Sequence, residues 1–159
     1  EPLVDKHRLV PLGEWLPPLP AGLTRGLSAV GGLQPGDASR FVNAWPSPFA
    51  VAICYEISDG RALAKATAQG AEWLLTIANL DPYPQLLQRQ FLALAQLRAI
   101  ETGRDVLSVA NTGPTALVSA DGTVQRLLKP RTDAVAAAEL QRRQQLTGYS
   151  RLVWAWSSR

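Results

Sequence analysis

Methionine is missing from the 159-residue sequence, and cysteine and histidine occur once each, as Cys54 and His7. One cysteine cannot form a disulfide within the chain, and no group of cysteine and histidine residues is available for a structural zinc site. A catalytic cysteine–histidine pair would have to use His7. Because no methionine is present to begin translation, we expect the chain to be a segment of a longer protein.

Long apolar runs are missing as well. No stretch reaches the roughly 18 apolar residues of a transmembrane helix, and residues 1–6 lack the basic start and apolar core of a signal peptide. The net charge is only +3, and the basic residues are scattered apart from Arg142-Arg143. Nucleic-acid binding is therefore not predicted, since it calls for a basic face with interleaved aromatic residues. A weak preference for anionic membrane surfaces is left open.

The chain does contain enough apolar material for one core. Hydrophobic residues make up 47% of the sequence and charged residues 18%, which is typical of a folded domain rather than of a disordered segment. Proline and glycine concentrate in residues 15–48, which we predict to be a long loop with at most one helical turn near 23–30. A loop of this length is either a functional cover or a linker.

The stretch Phe49–Glu56 is the best candidate for a functional element. Its short apolar run lies between prolines and Asp59-Gly60, which predicts a buried strand over 49–54. Cys54 then ends the strand, where the chain turns toward a helix. A nucleophile at such a turn is held rigidly, and the backbone N–H groups after it can face a developing oxyanion. Alternatively, Cys54 is simply a small buried hydrophobic residue.

Helices and strands are predicted to alternate after this stretch. The predicted helices end at glycines, and a hairpin turn is expected at 120–122. The helices are 61–69 and 83–102, the strands 73–78 and 106–110, and the hairpin strands 115–119 and 123–127. Buried strands that alternate with helices and then pass into a hairpin indicate a mixed α/β layered domain.

Two details of this pattern are open to direct comparison with a structure. The longer helix has an apolar face that we expect to be buried, formed by Leu86, Leu87, Phe91, Leu94, Leu97 and Ile100. Arg98 and Glu101 lie one turn apart on that helix and are expected to pair. The segment 133–140 is ambiguous, because its alanines favour a helix while 134–136 could be an edge strand.

Two motifs carry a resemblance to a known family. The first is Lys6 followed by Leu9-Val10-Pro11 and Gly13-Glu14, and the second is Ala52-Ile53-Cys54-Tyr55-Glu56. Together they resemble the nitrilase superfamily of carbon–nitrogen hydrolases, and within it the branch that acylates bacterial lipoproteins. Further matches at 74–79, 97–101, 111–113 and 146–151 extend the resemblance over nearly the whole chain. It implies an α-β-β-α sandwich that is incomplete at its N-terminal side, with the domain at 1–151 and a tail at 152–159.

The resemblance also implies a set of site residues. Cys54 matches the nucleophile, Lys6 the catalytic lysine and Glu14 a second active-site carboxylate, while Tyr55 and Glu56 match positions that support the nucleophile and shape the pocket. A nearby ammonium would stabilise both a thiolate and an oxyanion. The alternatives are that Lys6 is a solvated surface lysine and that Glu14 only accepts hydrogen bonds in a turn. Glu56 beside an apolar strand requires a partner in any case.

The sequence departs from the family pattern in three places. The glutamate that acts as general base lies upstream of the lysine in the family, and only Glu1 precedes Lys6 here, so this chain alone is not expected to be catalytic. His7 stands one position earlier than the family's usual histidine. After Asn79, the segment 80–84 replaces an expected aspartate and Trp-Phe-Gly loop, which puts the handling of a lipid substrate in doubt.

The activity implied is acyl transfer. A fatty acyl group would move from a phospholipid, through a Cys54 thioester, to the N-terminal amine of a diacylglyceryl lipoprotein. No metal or organic cofactor is implied, and the location would be the periplasmic side of the bacterial inner membrane. Two alternatives are a soluble amidase of the superfamily and a degenerate, non-catalytic domain. Glu56 disfavours the amidase, since many soluble members have aspartate at that position.

Overall fold

The computed structural model describes residues 4–11, 13–16, 33–44 and 46–157. The chain divides into two compact units, Glu1–Ala38 and Ser39–Arg159. The helical turn expected near 23–30 lies outside the described residues. In the first unit, none of the described residues belongs to a strand. The described residues of this unit contain an isolated bridge between Pro11 and Trp15, with a turn at Gly13-Glu14 between them.

The second unit is built on one six-stranded sheet whose strands lie in chain order. The strands are β1 (Phe41–Val42), β2 (Phe49–Ile53), β3 (Trp73–Ala78), β4 (Val106–Ala110), β5 (Thr115–Val118) and β6 (Val124–Leu128). The pairs β2–β3 and β3–β4 are parallel, and the other three pairs are antiparallel. This confirms the mixed α/β class, because helical crossovers join the parallel strands and an antiparallel hairpin forms the last two strands of the sheet.

Strand β1 corrects the prediction that all of 15–48 is loop. Phe41 pairs with Ala50, and Val42 pairs with Phe49. A strand of two residues is too short to produce an alternating pattern, so its position is determined by the neighbouring strand rather than by its own sequence.

Three α-helices accompany the sheet: α1 (Gly60–Ala68), α2 (Gln85–Thr102) and α3 (Gly148–Ser157). The side chain of Asp59 caps α1 by accepting a hydrogen bond from the Ala62 N–H at 3.1 Å. The predicted glycine ends of α1 and α2 are confirmed. Gly70 has φ +116° and Gly103 has φ +65°, values that glycine adopts without steric cost.

The core lies between helices α1 and α2 and one face of the sheet. A row of buried side chains crosses four paired strands: Ala50 pairs with Leu74, Leu74 with Val106, and Val106 with Val118. All four side chains are almost completely buried. Alanines of α1 and α2 pack against this row, so both helices approach the sheet closely.

The prediction that the apolar face of α2 is buried is largely wrong. Its buried residues are Gln88, Ala95, Arg98, Ala99 and Thr102. In contrast, Leu86 is 65% exposed and Ile100 is 54% exposed. Small alanines allow close packing on the sheet, and the buried amide of Gln88 finds partners in the backbone, since its Nε2 donates to the carbonyl oxygens of Leu80 and Tyr83. Of the predicted face, Phe91 and Leu94 do pack against the core.

The segment 133–140 is neither helix nor strand. Just beyond this segment, two buried side chains that follow α2 bind the backbone at residues 141 and 145. Arg104 Nη1 donates to the Gln145 carbonyl oxygen at 2.8 Å, and Asp105 Oδ2 accepts from the Gln141 N–H at 2.7 Å. Burial lowers the pKa of Arg104, with a further contribution from the positive charge of Arg143. These bonds satisfy backbone groups that a helix or strand would otherwise pair.

Helix α3 packs against α1 at the end of the chain. It runs across residues 151 and 152, where the domain was predicted to end and the tail to begin, and that boundary stays a prediction. None of the helices in the described ranges has the length and apolarity that crossing a membrane requires.

Candidate functional site

Cys54 stands in a strained turn at the end of β2. The strand ends at Ile53, and a 3₁₀ turn over Cys54–Ser58 leads to α1. The backbone φ of Cys54 is +54°, in the left-handed region that residues other than glycine rarely adopt. Such a conformation costs about 1–3 kcal/mol and is concentrated at functional sites. The predicted position of Cys54, where the strand turns toward a helix, is confirmed. Its role as a nucleophile stays a prediction.

Glu56 holds this turn through a buried ion pair. Its two carboxylate oxygens accept hydrogen bonds from Arg40 Nη1 at 3.0 and 2.9 Å. The Ile53 N–H donates to Glu56 Oε2 at 2.8 Å. Both charged side chains are 3% exposed, so bulk water does not solvate either charge. The carboxylate therefore connects the end of β2 to the residue before β1, directly beside Cys54.

Arg40 is the site residue that sequence reasoning missed. It lies 16 positions before Glu56, in a segment rich in proline and glycine, and no local spacing links the two. The available signal was indirect, because a carboxylate in an apolar stretch requires a cation or several donors. Tyr55 is placed within the same turn, and its carbonyl oxygen accepts from the Ser58 hydroxyl at 2.7 Å.

In the first unit, the structure brings Lys6 and Glu14 together. Lys6 Nζ lies 2.6 and 2.5 Å from the two carboxylate oxygens of Glu14. The Val10 N–H also donates to Glu14 Oε2 at 2.9 Å. Glu14 therefore both closes a turn and binds the ammonium group of Lys6. Lys6 is a paired, partly buried lysine rather than a solvated one. His7 lies in a loop, with Nδ1 2.8 Å from the Gly36 carbonyl oxygen.

Two asparagines meet at the edge of the sheet where the parallel strands end. Asn79 follows β3 and Asn111 follows β4, and Asn111 Nδ2 donates to Asn79 Oδ1 at 2.7 Å. Asn111 Oδ1 accepts from the Leu80 N–H at 2.9 Å, and Asn79 Oδ1 accepts from the Asp81 N–H at 3.1 Å. The altered loop after β3 is therefore anchored at this edge, which is the usual position of ligand sites in open α/β sheets.

A third ion pair lies against the first residue of α1. Arg98 Nη1 is 3.2 Å from Glu101 Oε2, which confirms the predicted pair. A Cβ atom on Gly60 would clash with both side chains, so only glycine leaves room for them. Burial raises the pKa of Glu101, and the positive charge of Arg98 opposes that rise.

Within the described ranges, no three histidine, cysteine, aspartate or glutamate side chains are grouped in a way that could hold a metal ion. The chemistry that this part of the chain offers is that of one thiol on a strained turn, one buried carboxylate–guanidinium pair beside it, and one paired ammonium in the other unit.

Comparison with known proteins identifies the relatives of this chain. A family model described as carbon–nitrogen hydrolase matches residues 3–147. The chain is 98% identical over 159 residues to the apolipoprotein N-acyltransferase of Parasynechococcus marenigrum, covering all of this chain and 34% of that protein. It is 68% identical over 149 residues to the apolipoprotein N-acyltransferase of Prochlorococcus marinus, covering 93% of this chain and 30% of that protein. The chain thus spans about a third of the length of these curated relatives.

A solved structure supports the fold. Nit3 of Saccharomyces cerevisiae, a member of branch 10 of the nitrilase superfamily, superposes with a TM-score of 0.51 at 18% sequence identity. The match covers 58% of this chain and 37% of the yeast chain. At this identity the likeness concerns the fold alone, which agrees with the mixed sheet and its helices.

Proposed function

Because the chain belongs to the carbon–nitrogen hydrolase family, we propose that it is the nucleophile-bearing part of an apolipoprotein N-acyltransferase. The observation that carries the proposal is Cys54 itself, in a left-handed backbone conformation at the end of β2. The buried pair of Glu56 with Arg40 supports that conformation. The names of the highly similar relatives supply the reaction class.

The proposed reaction runs in two halves. In the first, the Cys54 thiolate attacks the carbonyl carbon of a phospholipid ester, the carbon–oxygen bond breaks, and the lysophospholipid leaves as an alcohol after taking up a proton. In the second, the N-terminal amine of a diacylglyceryl lipoprotein attacks the thioester, the carbon–sulfur bond breaks, and an amide forms as the amine loses a proton. The family pattern assigns the general base to a glutamate, which the complete protein would have to supply upstream of Lys6.

Lys6 and Tyr55 are proposed to stabilise the oxyanion of both tetrahedral intermediates. A lysine ammonium and the backbone N–H after the nucleophile are suitable donors for such a charge. The contacts of Glu14 with Lys6 Nζ support this role, since a carboxylate at 2.5–2.6 Å fixes the position of the ammonium. Glu14 is thus a positioning residue for Lys6.

The names of these relatives supply a lipoprotein acceptor and a lipid donor in general terms, and the finer partners and the location are proposed from the resemblance of the motifs. The acyl donor is a phospholipid, the acceptor is a diacylglyceryl lipoprotein, and the domain lies on the periplasmic side of the bacterial inner membrane. Membrane attachment would be provided by other parts of the complete protein. The amidase alternative has less support, because relatives at 98% and 68% identity are named acyltransferases.

The test is an acyl-transfer assay with the complete protein and its Cys54→Ala variant, using a labelled phospholipid and a diacylglyceryl peptide. We expect the variant to lose acylation while its circular dichroism spectrum stays that of the native protein. An Arg142→Ala variant, changed at an exposed arginine, serves as the matched control and should keep full activity. Acylation by the Cys54→Ala variant at the native rate would refute the proposal.

A further inference from the structure

A groove of about 860 Å³ lies between the start of α2 and the end of β6. Arg89 borders it from α2, Arg126 from β6, and Lys129 and Arg131 from the turn after β6. The backbone of Arg131 has φ +58°, the only described residue besides Cys54 that is not glycine and has a positive φ. The groove belongs entirely to the second unit and contains none of the proposed site residues.

The charge of the groove has one sign. Four cationic side chains line it, and no aspartate or glutamate among the described residues does so. Within the described part of the chain, none of the four makes an ion pair, whereas Arg40, Arg98 and Arg143 each have a carboxylate partner. Four exposed cations that converge on one concavity repel one another and raise the local concentration of anions. The groove is therefore suited to an anionic ligand.

The walls of the groove distinguish between kinds of anion. Leu127, Leu128, Pro114 and Pro130 line it beside the cations, so an occupant would contact apolar surface as well as charge. The volume greatly exceeds that of a phosphate ion. No tryptophan, tyrosine or phenylalanine of the described residues lines it, so it lacks the stacking platform of a single-strand nucleic-acid site. An amphiphile with a phosphate head group and an apolar body fits both surfaces.

We propose that this groove binds the phosphate-bearing head group of an anionic membrane lipid, with Arg89, Arg126, Lys129 and Arg131 as its cationic contacts. Thr112 and Pro114, which also line the groove, follow β4. β2 ends at the same edge of the sheet as β4, and these two strands are two strand spacings, or about 10 Å, apart. The binding goes beyond the proposed acyl transfer and does not require the thiol of Cys54.

The experiment uses photoactivatable phosphatidylglycerol and the complete protein in detergent micelles. We expect cross-links in peptides that contain residues 85–89 or 126–131, and few cross-links with photoactivatable phosphatidylcholine. The double variant Arg126→Ala/Lys129→Ala should lose about 30-fold in apparent affinity, since each cation near a lipid phosphate contributes about 1 kcal/mol. The control Lys65→Ala/Arg142→Ala removes the same charge at two exposed positions outside the groove and should bind as the native protein does.

Three outcomes would overturn the proposal. Equal loss in the two double variants would mean general electrostatic attraction rather than a site. Cross-links confined to other peptides would place the lipid elsewhere. Competition by inorganic phosphate at the concentration of the lipid would show a site for free phosphate. The Cys54→Ala protein should still cross-link, so that failure of lipid binding and failure of the proposed acyl transfer are separate results.

Discussion

Replacement of Arg40 by methionine should destabilise the second unit strongly. Arg40 and Glu56 are each 3% exposed, and the two carboxylate contacts are 3.0 and 2.9 Å long. Methionine fills much of the space of the arginine stem but removes the guanidinium, so a buried carboxylate loses its counter-charge. Breaking one partner of a buried pair costs about 3–5 kcal/mol. We expect the free energy of unfolding to fall by that amount.

The assay is urea unfolding followed by circular dichroism, with the free energy obtained by linear extrapolation. The double variant Arg40→Met/Glu56→Met should recover a large part of the loss, because replacing both members of a buried pair by apolar groups is often neutral. An Arg61→Met variant, at an exposed position on α1, is the control and should change stability by less than about 0.5 kcal/mol. A loss below about 1 kcal/mol for Arg40→Met would refute the role assigned to this pair.

Three further predictions concern the packing around α1 and α2. Gly60→Ala should cost about 1–3 kcal/mol by displacing the ion pair beneath it, while Gly148→Ala, where a Cβ would meet nothing within 4 Å, should be neutral or stabilising in the same unfolding assay. Because the pKa of Glu101 is raised above 4.5, the folded state binds the proton of this carboxyl group more tightly than the unfolded state does. The free energy of unfolding should therefore decline as pH rises from 4.5 through the raised pKa. Urea unfolding of Glu101→Gln across this pH range should not show the decline. Leu86→Ser should change the unfolding free energy by less than about 0.5 kcal/mol, because Leu86 is exposed. Ala99→Leu should overpack the helix–sheet contact and cost about 1–3 kcal/mol. A larger loss of stability for Leu86→Ser than for Ala99→Leu would instead support the apolar face predicted from the sequence.

The elements that sequence patterns predicted well are those with local signals. Strands β3 and β4 agree with prediction to the residue, since each is a short, mostly apolar run bounded by polar residues. Both helices before the hairpin end where glycine adopts a left-handed conformation. The turn at Cys54 was predictable for the same reason, because a buried strand there runs directly into turn residues and a helix.

The features that were missed depend on contacts between distant parts of the chain. Strand β1 has two residues and exists because β2 lies beside it. The buried face of α2 follows from the small alanines that fit closely against the sheet, and a hydrophobic pattern ranks leucine above alanine. Arg40 could not be assigned as the partner of Glu56, because the two are brought together only by the pairing of β1 with β2.

That Cys54 carries the acyl group is tested most directly by mass spectrometry of the complete protein after incubation with a phospholipid and without an acceptor. We predict that the tryptic peptide containing Cys54 gains the mass of one fatty acyl chain, that hydroxylamine removes it, and that adding a diacylglyceryl peptide discharges it. An acceptor peptide that becomes acylated while the Cys54 peptide never gains this mass would contradict the proposal.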